Sequence, residues 1–212
     1  GRLYLGHKPV MWSVVESTAL AEAEIEYQEK KSNSIFVKFK IKNAKENLFK
    51  DANIAIWTTT PWTLPGNRAI AFSDDFHYVI VSFDKDYTNI NFKKGEKLIF
   101  SSLLFKKFCN DHEVNSFTIL KELKANELDN VICEHPFFSI GYDYDVPLIK
   151  GEHVTNETGT GFVHIAPGHG IEDFELGKKF NLSPERIRQI SEKKFSDFSK
   201  VLIKNKKDLE IN

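Results

Sequence analysis

The stretch that most constrains this chain is an apolar run that ends in hydroxyls. Ile54-Ala55-Ile56-Trp57 reads as a short buried strand. It empties into Thr58-Thr59-Thr60, and Pro61 stops it. Three hydroxyls make poor core material, because a buried hydroxyl without a partner costs about 1–3 kcal/mol. They suit a surface that hydrogen-bonds something polar, such as a ribose or a water. Pro65-Gly66 then predicts a tight turn, with glycine free to take positive φ, that presents Asn67 beside the threonines. By composition alone, a threonine-rich strand end followed by an ordinary turn is the better reading.

Around this stretch the chain reads as many short strands with few, late helices. Strands are predicted over 35–41, 69–72, 78–83, 97–100, 117–120, 131–133 and 161–166, with His164 at a polar-facing position of the last. Residues 45–50 form a charged loop and 85–94 a polar hairpin region. Residues 101–108 have helical spacing behind a serine cap, and 171–180 read as a helix with Asp173 in or near its first turn. The segment 19–27 is contested. Its Ala, Leu and Glu favour helix, but Ala21, Ala23, Ile25 and Tyr27 alternate with glutamates, and the alternation predicts a strand. Tyr142-Asp143-Tyr144-Asp145 reads as a solvated turn before Pro147 in preference to a metal site. This pattern suggests a mixed barrel or sandwich with peripheral helices. Beyond Leu182, Ser183-Pro184 starts a helix whose rough apolar stripe is Ile187, Phe195, Phe198 and Leu202, with lysines opposite; its function is unreadable.

With 41% apolar residues, 212 residues can fill a core in one large domain or two small ones. A net charge of −1 gives no global electrostatic case for nucleic acid. Only Arg2, Arg68, Arg186 and Arg188 among the 29 basic residues offer the better phosphate fork, so affinity for a nucleic acid would come mostly from elsewhere. Cys109 and Cys133 lack zinc spacing, and a reduced cytosolic protein is the simpler reading. No apolar run approaches the roughly 20 residues needed to cross a bilayer, and no signal peptide is visible. A start at Gly1, with Met11 the only methionine, reads as an excised piece of a longer chain.

A second long string follows far downstream: Gly159-Thr160-Gly161-Phe162-Val163-His164-Ile165-Ala166-Pro167-Gly168-His169-Gly170, then Asp173-Phe174. With Trp57-Thr58-Thr59-Thr60-Pro61-Trp62-Thr63-Leu64-Pro65-Gly66-Asn67, it resembles the editing domain inserted into isoleucyl-tRNA synthetase, a class I family. Valyl and leucyl relatives have a related threonine segment but not, as a rule, this form. The resemblance takes in Lys8-Pro9-Val10 and residues 19–27 and covers most of residues 8–181. It implies an α/β fold, a mixed β-barrel-like editing domain with peripheral helices, over 1–181. Residues 182–212 are left as a charged helical tail of unknown role.

The task the resemblance implies is post-transfer editing, the hydrolysis of the ester that joins valine to the terminal ribose of tRNA(Ile). One methylene is worth only about 1–3 kcal/mol to a hydrophobic pocket, the isoleucine–valine pair being the standard illustration, so a second sieve is needed. The ammonium of the aminoacyl group needs an anion, and Asp173 matches the motif. Thr58, Thr59, Thr60 and Asn67 can serve the ribose, carbonyl and water, while His164 and Trp62 are candidates for the limiting wall. The expected catalytic set is Thr59, Thr60, Asn67 and Asp173. Thr58, Trp62, His164 and Asp173 are the expected substrate-binding set. No strong base is evident, so catalysis would rest on positioning and electrostatics, assisted by a ribose hydroxyl.

No cofactor is implied. The implied partners are the aminoacyl-tRNA 3′ end, valine and the rest of the synthetase chain, in the cytoplasm. Neither a His-Ile-Gly-His nor a Lys-Met-Ser-Lys string occurs, so the chain alone is not expected to activate an amino acid. A metal site on His164, His169 and Asp173 lacks compact ligand spacing. No Gly-x-Ser-x-Gly elbow occurs, and Gly159-Thr160-Gly161 leads into a strand and not the helix of a dinucleotide site. Trp57 and Trp62 can stack on an adenine or serve as core. The competing reading from another class is a non-catalytic module that binds the tRNA acceptor end.

Overall fold

The computed structural model describes residues 9–29, 31–43 and 49–178. The predicted tail 182–212, the end of the predicted 171–180 helix and most of the 45–50 loop lie outside the described residues. Trp12–Ser13 (β1) and Thr18–Ala19 (β2) form a two-stranded ribbon. The other strands are β3 (Ile35–Lys40), β4 (Ala52–Thr58), β5 (Ala69–Phe72), β6 (His77–Phe83), β7 (Lys97–Ser101), β8 (Phe117–Lys124), β9 (Ile132–Glu134), β10 (Asp145–Lys150) and β11 (Phe162–Ile165). Helix α1 spans Ser102–Asp111 and α2 Ile171–Lys178.

Two larger sheets result, one of five strands in the order β3-β4-β7-β6-β8 and one of four in the order β11-β5-β10-β9. Pairing is mixed: β4 runs antiparallel to β3 but parallel to β7, and β5 runs parallel to β10 but antiparallel to β11. The sheets do not close into one barrel. They meet at a corner, where Ile41 bridges Cys133 and Lys42 N–H donates to Ile132 O at 2.8 Å.

The apolar run in β4 is continuous because the strand is buried on both faces. Ile54 and Ile56 point into a core shared with Phe39, Ile70, Phe72, Tyr78, Ile80 and Phe162 of both sheets. Ala55, one residue out of phase, joins Val79, Val81, Leu98 and Phe100 against Phe105 and Phe108 of α1. The two cysteines lie in different cores and are free. No helix among the described residues is long and apolar enough to cross a membrane.

Residues 19–27 depart from the strand expected of them. Only Thr18–Ala19 pairs, and Glu22–Glu24 is a 3-10 turn in which Glu24 Oε2 accepts from Ala21 N–H at 2.7 Å. No residue from 21 to 27 is buried, so the alternation has no apolar face to hold a register. Ser101 does stand at the N-cap of α1, but its side chain makes no cap bond; its N–H donates to Thr160 O at 2.8 Å. The Thr160 hydroxyl in turn donates to Ala55 O at 2.5 Å. Gly161, at φ +85°, fits against Ser101, where any Cβ would collide with the serine Cβ. These contacts fasten the start of β11 beneath β4 and so bring the two long motifs together.

Candidate functional site

At the end of β4 the chain turns on its own hydroxyls. Thr58 is buried, and its Oγ1 accepts from Thr60 N–H at 3.1 Å and meets Thr60 Oγ1 at 3.3 Å. Thr59 is half-buried, its carbonyl accepting from the Ser32 hydroxyl at 3.1 Å, and Thr60 is exposed. Pro61–Gly66 is a 3-10 helix with proline at its first position, where a missing N–H costs nothing. Thr60 O accepts from both Thr63 N–H (3.0 Å) and Thr63 Oγ1 (2.8 Å). Thr63 Oγ1 also lies 2.9 Å from His164 Nε2. Thr63 is therefore the hub of the site, yet it was outside the predicted set. A hydroxyl three residues after Thr60 was the available signal, since serine and threonine often bond back to a neighbouring backbone group.

The turn at Pro65-Gly66 differs from its expectation as well. Gly66 is not among the residues of positive φ. Its hydrogen is needed for close packing, because a Cβ there would stand 3.3 Å from His169 Cδ2 and Nε2. Asn67 is 0% exposed, so the turn does not present it to solvent. Its Nδ2 donates to Ala69 O at 2.9 Å, and its Oδ1 has no hydrogen-bond partner among the described residues. Two side chains hold the turn from below: His135 Nε2–H donates to Leu64 O (3.0 Å) and the Tyr144 hydroxyl to Asn67 O (2.9 Å). Trp62 is 60% exposed.

The second motif supplies the rest. His164 lies opposite Ile70 in the β11–β5 pairing and is buried, not polar-facing in the sense of open to water. Burial, reinforced by nearby His169, pushes its pKa down to about 4, so the ring is neutral near pH 7. After β11, His169 N–H donates to Ala166 O at 2.8 Å, and Asp173 Oδ2 accepts from Ala166 N–H at 2.9 Å. Desolvation raises the Asp173 pKa to about 6 against the opposing pull of the Ala166 bond, with a smaller push from Glu172. Glu172 itself is exposed.

The structure thus joins Thr58, Thr60, Thr63 and His164 in one hydrogen-bonded chain. Asp173 is tied to the same strand end through Ala166, two residues past His164. Thr59 and Asn67 lie off that chain, and Trp62 is beside it. No group of three or more His, Cys, Asp or Glu that could hold a metal occurs among the described residues. Chemically, the arrangement offers neutral hydrogen-bonding groups, a neutral imidazole and a single carboxylate.

No family model matches the chain. Among solved structures it is similar to the crystal structure of GlLeuRS-CP1, with a TM-score of 0.54 at 14% identity over 76% of this chain and 64% of that one. The P. knowlesi cytosolic leucyl-tRNA synthetase editing domain gives 0.50 at 15% identity over 74% and 70%. The fold is that of an aminoacyl-tRNA synthetase editing domain. In sequence, the chain is 49% identical over 175 residues to the isoleucine–tRNA ligase of Agrobacterium fabrum and 41% identical over 184 residues to that of Pelagibacter ubique. It corresponds to a segment of the isoleucine–tRNA ligases: these matches take in 82% and 86% of the chain but only 18% and 20% of the two relatives.

Proposed function

We propose that this chain hydrolyses the ester of mischarged Val-tRNA(Ile), serving as the post-transfer editing segment of a cytoplasmic isoleucyl-tRNA synthetase. The observation that carries this reading is the threonine–His164 hydrogen-bonded chain, with the Asp173 carboxylate bonded to Ala166 N–H two residues past His164. Above pH 6 Asp173 is mostly ionised and binds the ammonium of the aminoacyl group, which fixes where the side chain projects. His164, buried and uncharged, forms part of the wall that admits valine and excludes isoleucine. Thr59 and Thr60 align the ester carbonyl and a water, Thr58 holds Thr60 in place, and Trp62 borders the entrance. Asn67 supports the turn and offers its free Oδ1 inward. Water adds to the ester carbon, the ribose oxygen leaves with a proton, and free valine and tRNA result. The rest of the synthetase chain would supply most of the tRNA affinity, since this segment has a net charge of only −1.

The test is deacylation of Val-tRNA(Ile) and Ile-tRNA(Ile) by the 212-residue chain, followed against buffer. Faster release of valine than of isoleucine is expected. Hydrolysis of neither ester, with the acceptor end still bound, would make the chain a binding module and not a hydrolase.

A further inference from the structure

A cleft of about 720 Å³ opens between the β5–β6 turn, the loop after β10 and helix α2. Its buried lining is apolar: Val154 and Leu176 belong to the small core of Ala69, Ala71 and Ile165, and Phe76 packs against that core. Its exposed lining is acidic, with Asp74, Asp75, Glu152, Glu172 and Glu175 drawn from all three walls. Lys150, the single lysine of the lining, is paired with Asp74 at 2.9 Å and Asp129 at 3.5 Å. Glu175 is paired with Lys178 at 2.6 Å. Asp75, Glu152 and Glu172 pair with no cation among the described residues. Beside these carboxylates Ile171 stands 58% exposed. Exposed apolar surface rimmed by polar groups marks an interaction site, and negative charge here repels phosphate. The occupant must bring cations together with apolar side chains.

We propose that this cleft is the docking site of the chain's own C-terminal segment, residues 183–206, through Ile187, Phe195, Phe198 and Leu202 on the apolar lining and Arg188, Lys194 and Lys206 on the carboxylates. Charge favours it. Residues 179–212 hold nine Lys or Arg against five Asp or Glu, so the net charge of −1 divides into +4 there and −5 over residues 1–178. The order of side chains favours it too. Lys194 and Lys206 stand four residues from Phe198 and Leu202, and Arg188 seven from Phe195, so on a helix these cations border the apolar stripe. Lys193 and Lys200 fall on the opposite face, toward solvent. The segment begins five residues past Lys178, itself two past Leu176 of the cleft. Docking is therefore intramolecular and works against an effective concentration of about millimolar, which gives it the advantage over a second copy. Docked there, the segment covers exposed residues of α2, the helix that carries Asp173.

Carbodiimide coupling of the dilute 212-residue chain tests this, because the reagent joins an amine to a carboxylate that it already contacts. Mass spectrometry should find Lys194 or Lys206 joined to Glu152, Glu172 or Glu175 in the monomer, with Lys193 and Lys200 uncoupled. Hydrogen exchange gives a second reading: amides of 187–202 should exchange at least about tenfold faster in Asp75→Lys/Glu152→Lys than in the wild type. Both substituted residues are exposed. Phe198→Ser, which leaves the cleft unchanged, should speed the same amides and keeps the test open if the charge variant does not fold. Absence of those bonds from the monomer, or their presence only in covalent dimers, overturns the proposal. Exchange as slow in both variants as in the wild type, or as fast in the wild type as in the variants, overturns it as well.

Discussion

Replacing Asp173 with asparagine should stabilise the chain at alkaline pH and, at the same time, remove most of its proposed activity. The carboxylate is largely withdrawn from water, and desolvation lifts its pKa from 3.8 to about 6 although Oδ2 accepts from Ala166 N–H at 2.9 Å. Between those values the folded chain holds a proton that the unfolded chain has already lost. Stability therefore falls as pH rises from about 4 to about 6, and the loss persists above that window. At about 1.4 kcal/mol per decade, the gap amounts to about 3 kcal/mol. Asparagine keeps an acceptor for Ala166 N–H and carries no charge, so this component vanishes. The assay is urea unfolding of wild type and Asp173→Asn at about pH 4 and about pH 8. The variant's advantage should be near zero at the acid end and approach about 3 kcal/mol at the alkaline end. An advantage that does not grow with pH, or a variant less stable at both ends, would refute the desolvation argument. Hydrolysis of the valyl ester should rise as pH passes through about 6 in the wild type and drop at least about tenfold in Asp173→Asn, since a desolvated cation left unpaired costs about 2–5 kcal/mol. Glu172→Gln, altering an exposed carboxylate, should change it far less; equal losses would put the working carboxylate at the wrong position. A group that costs stability in its ionised form is the kind of compromise functional sites make.

The parts of this fold that were legible are those whose signal is local. The run 54–57 announced a strand because burial on both faces demands continuous apolar residues, and Ile171 onward announced a helix. What stayed hidden depends on partners distant in sequence. Thr63 becomes the hub only through His164, 101 residues away, and nothing near Thr63 reports that distance. Gly66 was read as a turn glycine on local grounds, whereas its lack of a Cβ is used by the His169 ring. Ser101 has the residue type of a helix cap, yet the N–H at that point is committed to Thr160 O and the side chain to packing on Gly161. Asn67 follows a proline and a glycine, which fits an exposed turn. Tyr144 and the Ala69 carbonyl instead secure it in the interior. Residues 21–27 misled in the opposite direction, with a clean alternation and no core to face.

Thr59→Ala and Thr60→Ala should each slow valyl-ester hydrolysis and leave the melting temperature close to wild type, because the described bonds of Thr59 and most of those of Thr60 are made by the backbone. Full activity combined with a lower melting temperature in both would make the threonines structural. Gly161→Ala should destabilise by more than about 2 kcal/mol, since it puts an L side chain at φ +85° and a methyl into Ser101; a urea-unfolding loss below about 1 kcal/mol would show that β11 is not anchored there. His164→Ala tests the sieve. If Asp173 fixes the ammonium, the amino-acid side chain must project to one wall, and a buried imidazole there excludes a methylene by overpacking worth about 1–3 kcal/mol. Removing the ring opens that space. Valyl hydrolysis should persist, while isoleucyl-tRNA, spared by the wild type, begins to be hydrolysed. Both rates must be measured on the one variant, because loss of valyl hydrolysis without any gain on the isoleucyl ester would make His164 a catalytic residue and leave the sieve without a wall.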